Sequence, residues 1–172
     1  GVAMGATWNP DRIREAAAAM AREARASGVN ILLGPNINIQ RTPLGGRNFE
    51  TYSEDPVLAG ELALAFTRGV QGEGVGVSVK HYAANNQETN RNFNDAIISE
   101  RALREIYLKG FEIIVKKSQP WTIMSSYNKV NGTYTSQSSY LCTDILRNDW
   151  GFQGVVMSDW FGGQDAPAQI RA

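Results

Sequence analysis

Short runs of apolar residues alternate along this chain with longer stretches in which apolar positions recur every three or four residues. The runs Ile31-Leu32-Leu33, Val75 to Val79, Trp121-Thr122-Ile123-Met124 and Gly154 to Met157 are each short and bounded by polar, Gly or Pro residues, as buried strands are. Between them the periodicity predicts helices. Asn9-Pro10 and Asp55-Pro56 each put a capping side chain before a Pro at the first helical position, opening helices over about Pro10–Ala26 and Pro56–Gln71. In the second, Leu58, Leu62, Ala65 and Phe66 fall on one face. A third helix runs from about Ser99 to Lys117, with Leu103, Ile106, Tyr107, Phe111 and Ile114 inward and Arg104, Glu105, Lys109, Glu112 and Lys116 in water. A fourth spans Ser139 to Asp149 around Leu141, Ile145 and Leu146. Asn36–Ser53 and Asn85–Asn94 lack periodicity and are predicted loops, the first of a length usually reserved for function or disorder.

Helices alternating with wholly apolar strands argue for a parallel sheet covered by helices, either a barrel or an open doubly wound sheet. Polar residues gather where the strands end, at Lys80-His81, Ser125 to Asn128 and Ser158-Asp159-Trp160. Both architectures put their sites at that edge, so the pattern locates a site and leaves the fold open.

Charge narrows the function. Seventeen Lys and Arg balance 17 Asp and Glu over 172 residues, scattered rather than striped, so neither nucleic acid nor an anionic membrane surface is an expected partner. A lone Cys142 forms no intrachain disulfide, which leaves the compartment open. No apolar run approaches the roughly 18 residues of a membrane span, and no charged-then-apolar leader opens the chain, so it reads as soluble. It begins Gly1-Val2-Ala3 without Met, which hints at sequence upstream.

Several chemistries lack their parts. The Gly72, Gly74, Gly76 cluster precedes its strand instead of following it, which counts against a dinucleotide site. Ser158 sits in Val-Met-Ser-Asp-Trp rather than a nucleophile elbow. His81 is the only His, too few for the usual metal-dependent hydrolase. What remains at the strand ends suits a neutral, hydroxyl-rich ligand: Asp, Arg, Lys and His bond hydroxyls, and Trp offers a face to the C–H side of a sugar ring. Each residue has a plainer reading alone. Asp159 could be a cap or a structural ion pair, His81 a satisfied core residue, Lys80 a solvated charge, and Tyr127 or Trp160 core.

Read together, the words Gly45-Gly46-Arg47-Asn48-Phe49-Glu50, Ser53-Glu54-Asp55-Pro56, Val79-Lys80-His81-Tyr82, Asn86-Gln87-Glu88, Met124-Ser125-Ser126-Tyr127-Asn128 and Gly151 to Trp160 resemble the β-glucosidase branch of glycoside hydrolase family 3. The resemblance runs in order from about Thr7 to Gly163. It implies an α/β fold, a partial TIM-type (β/α)8 barrel of about four strand–helix units. It also implies a retaining mechanism in which Asp159 is the nucleophile, attacking the anomeric carbon to form a covalent glycosyl-enzyme. By the same resemblance Arg47, Lys80, His81 and Arg91 hold sugar hydroxyls, Tyr127 stands near the nucleophile, and Trp160 walls the subsite. No metal or organic cofactor is implied, and the substrate is a β-linked oligosaccharide or an aryl or alkyl β-glucoside.

The resemblance also implies what lies outside. In the family an α/β sandwich domain follows the barrel and carries the general acid/base Glu, and an upstream Asp binds the same sugar. Glu50, Glu54, Glu88 and Glu100 are therefore not expected to be the acid/base. Tyr82-Ala83-Ala84-Asn85 stands where the N-acetylglucosaminidase branch has a Gly-rich His motif, which disfavours that branch. A β-xylosidase or other exo-β-glycosidase, and a non-catalytic sugar-binding module, stay open as alternatives, and oligomeric state is silent. Because a closed barrel takes ~250 residues, residues 1–172 are expected to form a single incomplete barrel domain, inactive and aggregation-prone in isolation.

Overall fold

The computed structural model describes residues 1–172. Seven strands form: β1 (Ile31–Leu32), β2 (Gly76–Tyr82), β3 (Asp95–Ala96), β4 (Thr122–Ser125), β5 (Lys129–Val130), β6 (Thr133–Tyr134) and β7 (Val155–Ser158). The four predicted strands, β1, β2, β4 and β7, make one parallel sheet in that order, while β3, β5 and β6 form a separate small ribbon. Strand order in the main sheet follows chain order without the reversal that a doubly wound sheet requires. This is the winding of an arc of a (β/α) barrel, and it resolves the choice the sequence pattern left open.

Helices α1 (Val2–Ala6), α2 (Pro10–Ala26), α3 (Pro56–Gly72), α4 (Glu100–Ala102), α5 (Lys109–Ser118) and α6 (Ala166–Arg171) are joined by wider, π-type helical segments at Leu103–Tyr107 and Tyr140–Asp149. The caps act as predicted: Asn9 Oδ1 accepts the Arg12 N–H at 3.1 Å, and Asp55 Oδ1 accepts those of Val57 and Leu58 at 2.7 and 2.9 Å. Helix α3 packs between α2 and α5, and glycines let it come close to both. A Cβ at Gly69 would stand 2.5 Å from the Arg14 carbonyl oxygen and 2.9 Å from Ala17 Cβ. A Cβ at Gly60 would stand 3.0 Å from Gly110 Cα. Beneath the helices Tyr82 is fully buried, edge-on to Phe111 at 5.1 Å and to Trp150 at 6.2 Å, and its hydroxyl donates to the Leu141 carbonyl at 2.9 Å.

Two expectations change. Strand β2 continues through Lys80, His81 and Tyr82, which the apolar pattern placed beyond its end. The chain leaving β1 supplies the partners: Lys80 N–H donates to the Pro35 carbonyl at 3.0 Å and Ile37 N–H donates to the Lys80 carbonyl at 2.8 Å. The third helix is also not uniformly 3.6-periodic. Leu108 N–H donates to the Leu103 carbonyl, a five-residue step that turns Leu103 and Leu108 both inward and leaves Ile106, expected inside, 38% exposed.

The glycine contacts give a paired prediction. Gly69→Ala should lower stability by about 1–3 kcal/mol through overpacking. Gly72→Ala, where a Cβ meets nothing within 4 Å, should leave it unchanged or raise it by up to about 1 kcal/mol through helix propensity. Denaturant melts of the two variants in the full-length enzyme check this, and equal losses would contradict it.

Candidate active site

The seven residues that the resemblance assigns to a sugar site arrive at one place. Arg47 comes from the loop before the turn Asn48–Glu50, Lys80 and His81 from β2, Arg91 from the Asn85–Asn94 loop, Tyr127 from just past β4, and Asp159 and Trp160 from just past β7. Together with Leu33 and Met124 they line an open cleft of about 420 Å³, within the range of small-ligand sites. A larger groove of 650 Å³ on the far side of the Gly45–Gly46 turn holds none of these seven.

Asp159 is 9% exposed. Its Oδ1 accepts the N–H of Trp160 at 2.7 Å, and its Oδ2 lies 3.4 Å from His81 Nε2. Three cations share the cleft, and the two guanidiniums are restrained. Arg47 pairs with Glu50 at 2.5 Å, and the same carboxylate oxygen takes the Asn36 amide at 2.5 Å. Arg91 pairs with Glu88 at 2.6 Å and lies 4.4 Å above the Tyr127 ring. Glu88 also reaches Arg47 at 4.0 Å, so one carboxylate spans both guanidiniums. The Lys80 pKa is lowered, first by burial, against the raising influence of Glu50 and Asp159. Trp160, 52% exposed, stands at the rim.

The titrating groups divide by environment. Burial, then the charges of Arg47, Lys80 and Arg91, pushes His81 down to about 2, so the ring is neutral at ordinary pH. Burial, then the adjacent Asp159 carboxylate, raises the Tyr127 phenol, which keeps its proton. The cleft therefore presents a carboxylate, three cations, a neutral imidazole, a phenol and an indole face, a set able to bind several hydroxyls around one reactive carboxylate. No group of three or more metal-ligating side chains gathers anywhere in the chain.

Sequence reasoning did not find Leu33, Met124 or the bracing role of Asn36, Glu50 and Glu88. The spacing Arg47-x-x-Glu50 and Glu88-x-x-Arg91 was the available signal for the two carboxylate braces. Glu100, on the outer helix, pairs with Arg104 at 2.6 Å and belongs to a surface network.

Because the folded pKa of His81 is depressed, the unfolded chain binds the extra proton first as pH falls. Stability contributed by the neutral ring is present above the unfolded value of about 6.5. It should be lost below that pH, at about 1.4 kcal/mol per pH unit. Denaturant melts of the full-length enzyme and of its His81→Gln variant across pH 4.5–7.5 test this; identical pH slopes for the two would contradict it.

Comparison with known proteins gives the family of the chain. The model of the glycosyl hydrolase family 3 N-terminal domain matches residues 1–169. The chain is 55% identical over 169 residues to an exo-α-(1→6)-L-arabinopyranosidase of Bifidobacterium longum, covering 98% of this chain and 22% of that protein. It is 50% identical over 171 residues to a β-glucosidase of Rhizobium radiobacter, covering 99% and 21%. The solved structure of β-glucosidase 3B from Thermotoga neapolitana in complex with glucose superposes with a TM-score of 0.98 at 56% identity, over 99% of this chain and 24% of that one. The chain thus spans about a fifth of the length of the curated relatives it matches. With the family model matched across nearly its whole length, the chain belongs to glycosyl hydrolase family 3.

Proposed function

We propose that this chain carries the nucleophile half of a retaining β-glycosidase that releases terminal β-linked glucose. One observation carries the reading: a largely buried carboxylate, Asp159, has one oxygen tied to backbone and the other facing a cleft of restrained hydroxyl-binding groups. Asp159 attacks the anomeric carbon and the glycosidic C–O bond breaks, the leaving oxygen taking a proton from an acid outside this set. Water, giving a proton back to that same group, then hydrolyses the glycosyl ester and returns the free carboxylate. Arg47, Lys80 and Arg91 donate to sugar hydroxyls. Contacts that strengthen as the ring becomes oxocarbenium-like lower the barrier instead of only tightening binding. Trp160 at the rim offers its face to the ring's C–H side.

A second reading is a pentopyranosidase, favoured by the 55% identity to the arabinopyranosidase. The glucose and arabinopyranose donors differ by the C5 hydroxymethyl group and by the orientation of the C4 hydroxyl, differences that a few contacts decide.

The chain's share of its relatives' length supports a further part of the proposal: residues 1–172 act within a longer enzyme. The main sheet has open edges at β1 and β7, where Ile31 is 36% and Val155 62% exposed, and unpaired edges of this kind invite association.

Two outcomes are expected. In the full-length enzyme, Asp159→Asn should cut turnover of an aryl β-glucoside by several orders of magnitude while the melting temperature holds; a near-normal rate would refute the nucleophile assignment. Running an aryl α-L-arabinopyranoside alongside separates the two donor readings. The isolated 172-residue chain should show no hydrolysis and concentration-dependent light scattering. A monodisperse, cooperatively melting and active chain would contradict that part.

A further inference from the structure

Asn38 is 4% exposed, and its side-chain amide is spent entirely on one residue. Its Nδ2 donates to the His81 carbonyl at 2.8 Å. Its Oδ1 accepts the His81 backbone N–H at 3.0 Å and lies 3.2 Å from His81 Nδ1. These contacts fix the amide's orientation: rotated by half a turn, its oxygen would face a carbonyl and its NH2 would face an N–H donor. With Oδ1 facing the ring, Nδ1 must carry the hydrogen. The ring is 1% exposed among three cations and holds only one hydrogen, so Nε2 is bare.

That bare nitrogen points into the cleft. It lies 3.3 Å from Arg47 Nη1, from which it accepts, and 3.4 Å from Asp159 Oδ2, to which it cannot donate. The opposite tautomer would reverse both relations. It would set two donors, Nε2–H and the guanidinium, against each other and place a hydrogen on the carboxylate oxygen that attacks. A neutral imidazole beside a carboxylate is drawn toward that arrangement unless its other nitrogen is engaged as a donor.

We infer that Asn38 is a positioning residue that holds His81 as its Nδ1–H tautomer, leaving Nε2 an acceptor toward Arg47 and leaving Asp159 Oδ2 without a ring donor. The tautomer assignment stands on the contacts of both ring nitrogens and on the burial of the ring among three cations; its catalytic consequence rests on the glycosidase reading above.

The test uses the full-length enzyme labelled with [15N]histidine, the His81 signals being assigned by their loss in His81→Gln. Above pH 6 the wild-type ring should show a protonated, pyrrole-type Nδ1 and an unprotonated, pyridine-type Nε2. The reverse pattern, or two protonated nitrogens, overturns the proposal. Asn38→Leu should move the ring toward the Nε2–H form and lower kcat on an aryl β-glucoside by about 10²-fold, more than it raises KM. Asn38→Asp, which keeps an acceptor at Nδ1–H, should retain the wild-type tautomer, recover part of kcat, and add an ionisation to the pH profile as its charge favours the imidazolium. A loss of rate with an unchanged tautomer in Asn38→Leu would sink the positioning role and leave the glycosidase reading intact. The spectra need no substrate, so they test the tautomer even if the reaction assignment fails. Should the Leu variant not fold, the wild-type and Asp spectra still decide.

Discussion

Two residues of β2, Lys80 and His81, stand opposite a single residue of β4, Met124: the register runs Val79 to Ile123, then Tyr82 to Ser125. Successive side chains on a regular strand point to opposite faces, so a lysine and a histidine side by side could not both line one cleft. The extra residue breaks the alternation and re-aims the pair. On either side of it the sheet is in register, Ser125 against Ser158, which brings Tyr127 and Asp159 to the same rim. Lys80 and His81 thus enter the cleft at the one irregularity in the pairing of β2 with β4.

The second constraint is the burial of charge. Asp159 and His81 are both withdrawn from water, and the cations that surround them would repel one another without the braces. Glu50 and Glu88 meet that need by pairing with Arg47 and Arg91, while Tyr127 takes the face of Arg91. A chain of zero net charge thus builds a site dense in charge, each guanidinium fixed in direction by a carboxylate three residues away. Restrained donors of this kind lose little freedom when a ligand arrives, which is where positioning gains its value.

Much of this was legible in the chain. Asn9-Pro10 and Asp55-Pro56 opened helices where their cap chemistry said they would, and the four apolar runs became the four strands of the main sheet. The seven residues picked from strand ends and motifs converge on one cleft. What escaped was tertiary. Polarity ends the apolar run at Val79, yet the strand continues through Lys80 and His81 since Pro35 and Ile37 supply hydrogen-bond partners. Ile106 read as core because the wide turn after Leu103 shifts the helical phase in a way that periodicity at 3.6 does not encode. Asn38 carried no signal of its own, for an Asn in a loop announces neither its burial nor the residue its amide will clamp.

Asp159 as a nucleophile, set in a cleft that restrains its neighbours, is the claim on which the functional account turns. Incubating the full-length enzyme with a 2-deoxy-2-fluoro β-glucoside that carries a good leaving group, followed by proteolysis and peptide mass spectrometry, tests it most directly. The account predicts a stable fluoroglycosyl adduct on the peptide containing Asp159. An adduct on any other carboxylate, or inactivation with the Asp159 peptide unmodified, would contradict it.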